Sequence, residues 1–376
     1  MAKTGWVIVV FLLCWCVVLP VKAEDTVEDE IESYDFSKIE QVLEKEEVDF
    51  SFEDILYELL TGDTDQMFQK LLKEAGDYLW EEIEKNKQGI LQVFMIAAAG
   101  ALFSNFASIF RESQIAQTAF FITYFMMLSI LAASFGLAGQ IASSMIRILL
   151  EFMKALIPSF FLSVAFVSGS LSSMAFYQMA LIMIAAVEWG MLYLLIPLTY
   201  AELILRFVND ISGEDFLSKT AELIQSVAVW GLKTMMGLVI GIQLIQGMIL
   251  PFVDAAKIGG IKKILSFIPG IGSGASTAAQ MVVGSGVLIK NGIGAAALVI
   301  ILVIAAVPLI KLTVLTFLYR VAAAFIQPVS DARMVRCVSS VGDGIAMLLK
   351  IACYAALLFF ITIALICSFT NAAYFG

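Results

Sequence analysis

From Gly89 to its C-terminus the chain is a near-continuous succession of uncharged apolar runs. A bilayer core about 30 Å thick takes about 20 such residues per helix, and hydrocarbon admits only backbone that satisfies its own hydrogen bonds. The expected fold is therefore all-α and polytopic. Within these runs a pattern is written twice. Ile157-Pro158 and Ile268-Pro269 each open an apolar run, and each is followed 39 residues later by another apolar-Pro-Leu step, at Ile196-Pro197-Leu198 and Val307-Pro308-Leu309. The offset is 111 residues throughout, which reads as a duplicated membrane module. Lys233 and Lys350 extend it, six residues out of strict register.

Composition supports an integral membrane protein: hydrophobic residues make up 60% and mean hydropathy is +0.92. The net charge of −10 hides a division. Glu24 to Gln88 carries 22 acidic and 6 basic residues, whereas Gly89 to Gly376 is mildly basic. Residues 1–23 combine Lys3, an apolar stretch from Trp6 to Leu19 and Val21-Lys22-Ala23, the pattern of a secretory signal peptide. An uncleaved anchor is the other reading, and either places 24–88 outside the cytoplasm. Within that acidic segment Phe52, Ile55, Leu56, Leu59 and Leu60 share one helical face, with Ser51 and Asp54 as a capping start. A second amphipathic helix is expected from about Asp65 to Lys87, and disorder from Glu24 to about Ile39.

The spans expected in the body are Gly89–Phe110, Ile115–Leu137, Ala155–Leu171, Met174–Leu198, Thr234–Val253, Phe267–Ile289, Gly292–Leu318 and Ile351–Thr370. An interfacial helix around Arg147, Glu151 and Lys154 is expected between the second and third. Ser212 to Asp215 would cap an amphipathic segment before the fifth. The Gly-rich sixth candidate reads either as a full span or as a re-entrant hairpin, so the count is seven or eight. Lysine and arginine in the loops weakly favour eight. Eight would give each copy, 152–253 and 254–376, three crossings and opposite orientation, an inverted three-span repeat. Residues 89–151 would hold the first two spans and the interfacial helix.

Few residues point to chemistry. Glu188, in the middle of a span, is expected to be paired or to face water. Lys311 lies close enough to a helix end to snorkel, and Lys233 and Lys350 stand at helix entrances as interfacial anchors. Histidine is absent, so Ser-His and Cys-His nucleophile pairs cannot form within the chain. The cysteines Cys14, Cys16, Cys337, Cys353 and Cys367 lack zinc-site spacing. Gly342-Asp343-Gly344 reads as a helix start capped by Asp343. No catalytic, metal or cofactor-binding residue is assigned, and no enzyme activity, cofactor or nucleic-acid partner is expected.

From Gly286 the chain reads Gly-Val-Leu-Ile-Lys290-Asn291-Gly292, then Val307-Pro308-Leu-Ile-Lys311, then Leu318-Tyr319-Arg320 through Phe-Ile-Gln327-Pro328-Val-Ser-Asp331. This block resembles the stage III sporulation protein AE family of endospore-forming bacteria, over the membrane body from about Gly89 onward and least in the acidic segment. The resemblance implies a multi-pass membrane component of a mother-cell complex in the membrane around the forespore. Such a complex would join a forespore membrane partner across the intermembrane space as a channel, with other stage III sporulation operon proteins as partners. It brings no catalytic residues. The intramembrane polar positions to follow are Glu188, Lys290, Lys311, Arg320, Gln327 and Asp331. The alternative is a free-standing secondary transporter with an inverted-repeat core.

Overall fold

The computed structural model describes residues 35–45, 51–61, 114–168, 170–212, 215–265, 274–328 and 330–375, with isolated helical positions at 84, 91 and 95. The signal peptide, the helix expected at Asp65–Lys87, the span expected at Gly89–Phe110 and Pro269 lie outside these residues. All regular structure in the described residues is helical: α1 (Ser37–Lys45), α2 (Phe52–Thr61), α3 (Gln114–Ser168), α4 (Ser170–Val187), a π-helical segment (Glu188–Leu195), α5 (Ile196–Ser212), α6 (Ser218–Leu265), α7 (Gly274–Ile326) and α8 (Ala332–Phe375).

Among the described residues five helical stretches are long and apolar enough to cross a membrane: Phe121–Ala165, Tyr177–Ile211, Ser218–Met248, Val287–Ile326 and Ala332–Ser368. The expected spans merged. Ile115–Leu137, the interfacial helix and the third expected span as far as Ser168 form the single 55-residue α3, which passes through Pro158 without ending. At about 1.5 Å per residue it is roughly 80 Å long, well beyond the thickness of a bilayer. The amphipathic segment after Asp215 is the first part of α6. Residues 274–289 are continuous with Gly292–Leu318 in α7. Periodicity could not show these mergers, because a charge such as Arg147 or Lys290 marks an interface only if its helix stops there.

The 111-residue offset can be laid over the described helices. Shifted by it, the α4–α5 rod and α6 fall on 281–323 and 329–376, close to α7 and α8. The sense of the copies differs from the inverted repeat expected. Lys290 lies by Cys367 and Arg320 by Asp343, so α7 runs opposite to α8. Gln243 bonds Thr362, Asp210 pairs with Arg336 and Leu195 packs at Gly231, which together set α6 along α8 and the α4–α5 rod along α7. Two helices per copy among the described residues return the chain to its starting side.

The paired prolines also differ locally. A proline ring removes one backbone donor and collides with the carbonyl four residues back. Ahead of Pro197 the helix widens to π geometry, Ile196 N–H donating to the Met191 carbonyl five residues back. Pro158 and Pro308 sit inside α-helix.

α8 is the centre of the body, packed on α7, α3, α6 and α5. Its sequence explains this: Cys337, Val338, Val341, Ile345, Leu348, Ile351, Ala352, Ala355, Leu358 and Phe359 are all buried and lie on more than one face. Gly139 lets Tyr200 approach α3, since a Cβ there would overlap the Tyr200 ring and hydroxyl. The Tyr200 ring meets Phe135 edge-on at 4.9 Å.

The acidic segment forms a small helical pair seated on the body. Phe36 and Ile39, expected to be disordered, are buried with Leu43, Phe52, Ile55 and Leu56, and the Phe36 and Phe52 rings are 5.0 Å apart. Asp35 caps α1 through Ser37, whose hydroxyl and N–H hold the Asp35 carboxyl below its usual range. Ser51 caps α2 as its sequence suggests, its hydroxyl accepting from Asp54 N–H at 3.4 Å. Glu40 of α1 reinforces that cap, with Oε1 accepting from Ser51 Oγ (2.9 Å) and from the N–H groups of Phe52 (2.7 Å) and Glu53 (3.2 Å). The pair docks at Ser159, whose hydroxyl donates to the Asp35 carbonyl, and at Gly292, where a Cβ would lie 2.9 Å from Leu60 Cδ2 and 3.0 Å from Leu56 Cδ1.

Gly292→Phe should therefore expel α2 from the body, whereas Gly292→Ala needs only small shifts of two leucine ends. Limited proteolysis of the purified chain should cut between Lys45 and Ser51 faster in the first variant than in the second. Leu56→Ala should weaken docking by on the order of 2–4 kcal/mol, read as the same increase in cleavage.

Candidate functional site

The six polar positions singled out in the sequence do not converge on one site. Arg320, Gln327 and Asp331 lie at the α7–α8 turn, and Lys290 is thirty residues away on α7, about 45 Å. Lys311 is half-buried between them.

Each has a local explanation. Glu188 is paired, as expected for a carboxylate in a span: Lys154 Nζ is 3.0 Å from its Oε2, with both side chains partly exposed. The pair ties α3 to the start of the π segment. Arg320 meets Asp343 at 3.1 Å across the α7–α8 hairpin. Asp343 is thus a mid-helix bridge, and the helix start expected there belongs to Asp331. Asp331 Oδ1 accepts from Arg333 N–H at 2.8 Å, while its carbonyl accepts from Val335 N–H. Gln327 is exposed, and its N–H donates to Ala323 O as α7 ends. The Ser212–Asp215 start is likewise displaced: Asn209 Oδ1 accepts from Leu217 N–H and Asn209 Nδ2 donates to Asp215.

Lys290 departs furthest from expectation. It is fully buried, with Nζ 3.3 Å from the Cys367 carbonyl. That carbonyl lies two turns inside α8, which continues to Phe375, so the Lys290 amine takes the second acceptor site of a carbonyl within the helix.

Three polar groupings had weaker sequence signals. Asp210, nearly buried on α5, pairs with Arg336 of α8 at 2.9 Å. Glu202 holds Arg206 at 2.9 Å one turn on, and Arg206 also donates to Gln225 of α6. Deeper in the body, Gln243 Nε2 donates to Thr362 Oγ1 at 2.7 Å, linking α6 to α8. The only hint of the last was two glutamines, Gln243 and Gln246, in an otherwise uncharged stretch.

These charges leave one level of the body empty. No charged residue occurs at 155–187, 234–253, 291–310 or 351–376. The first of these is bounded by the Lys154–Glu188 pair, and the others begin or end at Lys233, Lys311 and Lys350. Trp189, Tyr193 and Trp230, all strongly exposed, flank the same boundary. From Lys290 to Lys311 is about 31 Å of helix, close to the thickness of a hydrocarbon core.

Comparison with known proteins bears on this arrangement. The family described as Stage III sporulation protein AE matches residues 50–370, from α2 through most of α8. The chain belongs to that family. It is 24% identical over 317 residues to Stage III sporulation protein AE of Bacillus subtilis (strain 168), covering 84% of this chain and 79% of that protein. No solved structure matches it. The family match includes α2 and its docking site at Gly292, and begins after α1.

The Asp210–Arg336 pair makes a quantitative prediction. Arg336→Leu leaves a nearly buried carboxylate without its partner and should lower stability by on the order of 2 kcal/mol, less than for a fully buried pair because Arg336 is half in solvent. Replacing both residues with leucine should recover most of that loss. Thermal melts in lipid nanodiscs measure both.

Proposed function

We propose that this protein is a multi-pass membrane subunit of the channel complex joining mother cell and forespore during endospore development, acting as a helical platform rather than as an enzyme. Membership of the stage III sporulation protein AE family carries this reading. In it, the bilayer covers the charge-free stretches that begin or end at Lys233, Lys311 and Lys350. The rest of α3, α5 and α6 and the α7–α8 turn extend into the mother-cell cytoplasm, taking Arg206, Arg320, Arg333 and Arg336 with them, in keeping with the cytoplasmic excess of basic residues.

The docked pair α1–α2 then faces the intermembrane space. Its buried face is committed to the body, which leaves Glu44, Glu53 and Asp54 outward as an acidic surface for other stage III sporulation operon proteins. A forespore membrane protein would meet that assembly from the far side. The free-standing transporter drew on an inverted repeat that the described helices do not form.

Two measurements test the proposal. With the native cysteines replaced, maleimide should label Phe216→Cys and Phe325→Cys from the cytoplasmic side and leave Ile242→Cys and Leu302→Cys unmodified; labelling of the second pair would displace the bilayer. Full-length protein captured from sporulating cells should bring down operon partners. Glu53→Lys with Asp54→Lys should reduce that capture several-fold without lowering the amount of protein in the membrane. A chain that is isolated alone and moves a solute across liposomes unaided would overturn the subunit reading in favour of the transporter.

A further inference from the structure

Two glutamines in an uncharged stretch of α6 raise a question of hydrogen-bond supply. Gln243 and Gln246 are three residues apart, so they share a helix face. Together with Thr362 of α8 and apolar walls that include Met179 of α4 and Leu365 of α8, they line a cleft with room for about one water-sized guest. Gln243 is 6% exposed. A buried amide oxygen without a donor costs on the order of 1–3 kcal/mol.

The orientation of the Gln243 amide is set by its neighbours. Thr362 Oγ1 donates its hydrogen to the Leu358 carbonyl at 2.6 Å, so it can only accept from Gln243. The amide must therefore present Nε2 to Thr362, at 2.7 Å, and turn Oε1 away. The Oε1 atoms of Gln243 and Gln246 are both buried, and neither has a donor among the described residues. Two carbonyl oxygens lining one small cleft, with no carboxylate or amine among the lining residues, attract a neutral donor or a single positive charge. They offer nothing to an anion, and they lack the carboxylates a divalent cation requires.

We propose that Gln243 and Gln246 form a binding site for one small electron-pair-seeking guest, a water molecule or a monovalent cation of similar size, held between α4, α6 and α8. Gln243 is ten residues from Lys233, and Thr362 twelve from Lys350, about 15 and 18 Å along their helices. On the bilayer placement proposed above, the site lies within the uncharged level, where a fixed polar guest steadies the contact between α6 and α8. The binding claim itself does not depend on that placement, which the cysteine labelling tests separately.

The experiment uses the full chain in nanodiscs, as wild type and as Gln246→Leu, which removes one oxygen and leaves the Gln243–Thr362 bond intact. A bound water shows as rapid magnetisation transfer from water to the Gln243 side-chain amide in solid-state NMR, lost in Gln246→Leu, with a melting temperature independent of the salt. A bound cation shows as a rise of several degrees in melting temperature in sodium, potassium or ammonium chloride over N-methylglucamine chloride, also lost in Gln246→Leu. Either result supports the site and identifies its guest. Absence of water transfer together with a salt-independent melting temperature, and a Gln246→Leu variant at least as stable as wild type, would show a dry cleft and overturn it.

Discussion

In hydrocarbon a peptide group has no water to bond to, and a charged side chain has no solvent to stabilise it. The first condition explains why this body is made of continuous helix, which passes through Pro158 and Pro308 and widens to π geometry ahead of Pro197. The second explains the arrangement of its charges. Lys154 and Glu188 neutralise each other, and Lys290 rests on the Cys367 carbonyl of α8. Asp210–Arg336, Glu202–Arg206 and Arg320–Asp343 gather toward the far end of the bundle.

Once ionic groups are excluded from a layer, cohesion there depends on packing and on neutral polar bonds. α8 supplies the packing, buried on several faces among α3, α5, α6 and α7. The Gln243–Thr362 bond is the neutral tie between two of these helices, and its worth in a membrane is modest, about 0.6–2 kcal/mol. The docked α1–α2 pair uses different physics. It is acidic on its open face and apolar beneath, closed by a carboxylate on a helix N-terminus, as in a soluble domain. One chain thus joins a small module built like a soluble domain to an apolar helical body, and Ser159 and Gly292 are where they touch.

Much of this was legible before the fold was known. The α2 face from Phe52 to Leu60 and its Ser51 cap were readable because a period of 3.6 and a side-chain acceptor are local properties. For Glu188 its place in an apolar run predicted a partner or water, and left open which; the structure pairs it with Lys154. Helix ends were not readable: Arg147, Glu151 and Lys290 looked like boundaries, yet a charge can stay on a continuing helix if a partner or a carbonyl meets it. The burial of Phe36 and Ile39 was also hidden, because too few apolar residues stand near them in sequence to predict a core that the body completes.

By itself the sequence determined an all-helical apolar body with an acidic segment ahead of it, and its family, because hydropathy and motif order are written along the chain. Only the tertiary structure decided that α6 runs along α8 and that Lys290 is buried against the Cys367 carbonyl. It also decided that Gln243, Gln246 and Thr362 share a cleft. These depend on which residues meet across helices, and a contact between positions more than a hundred residues apart leaves no trace in local composition.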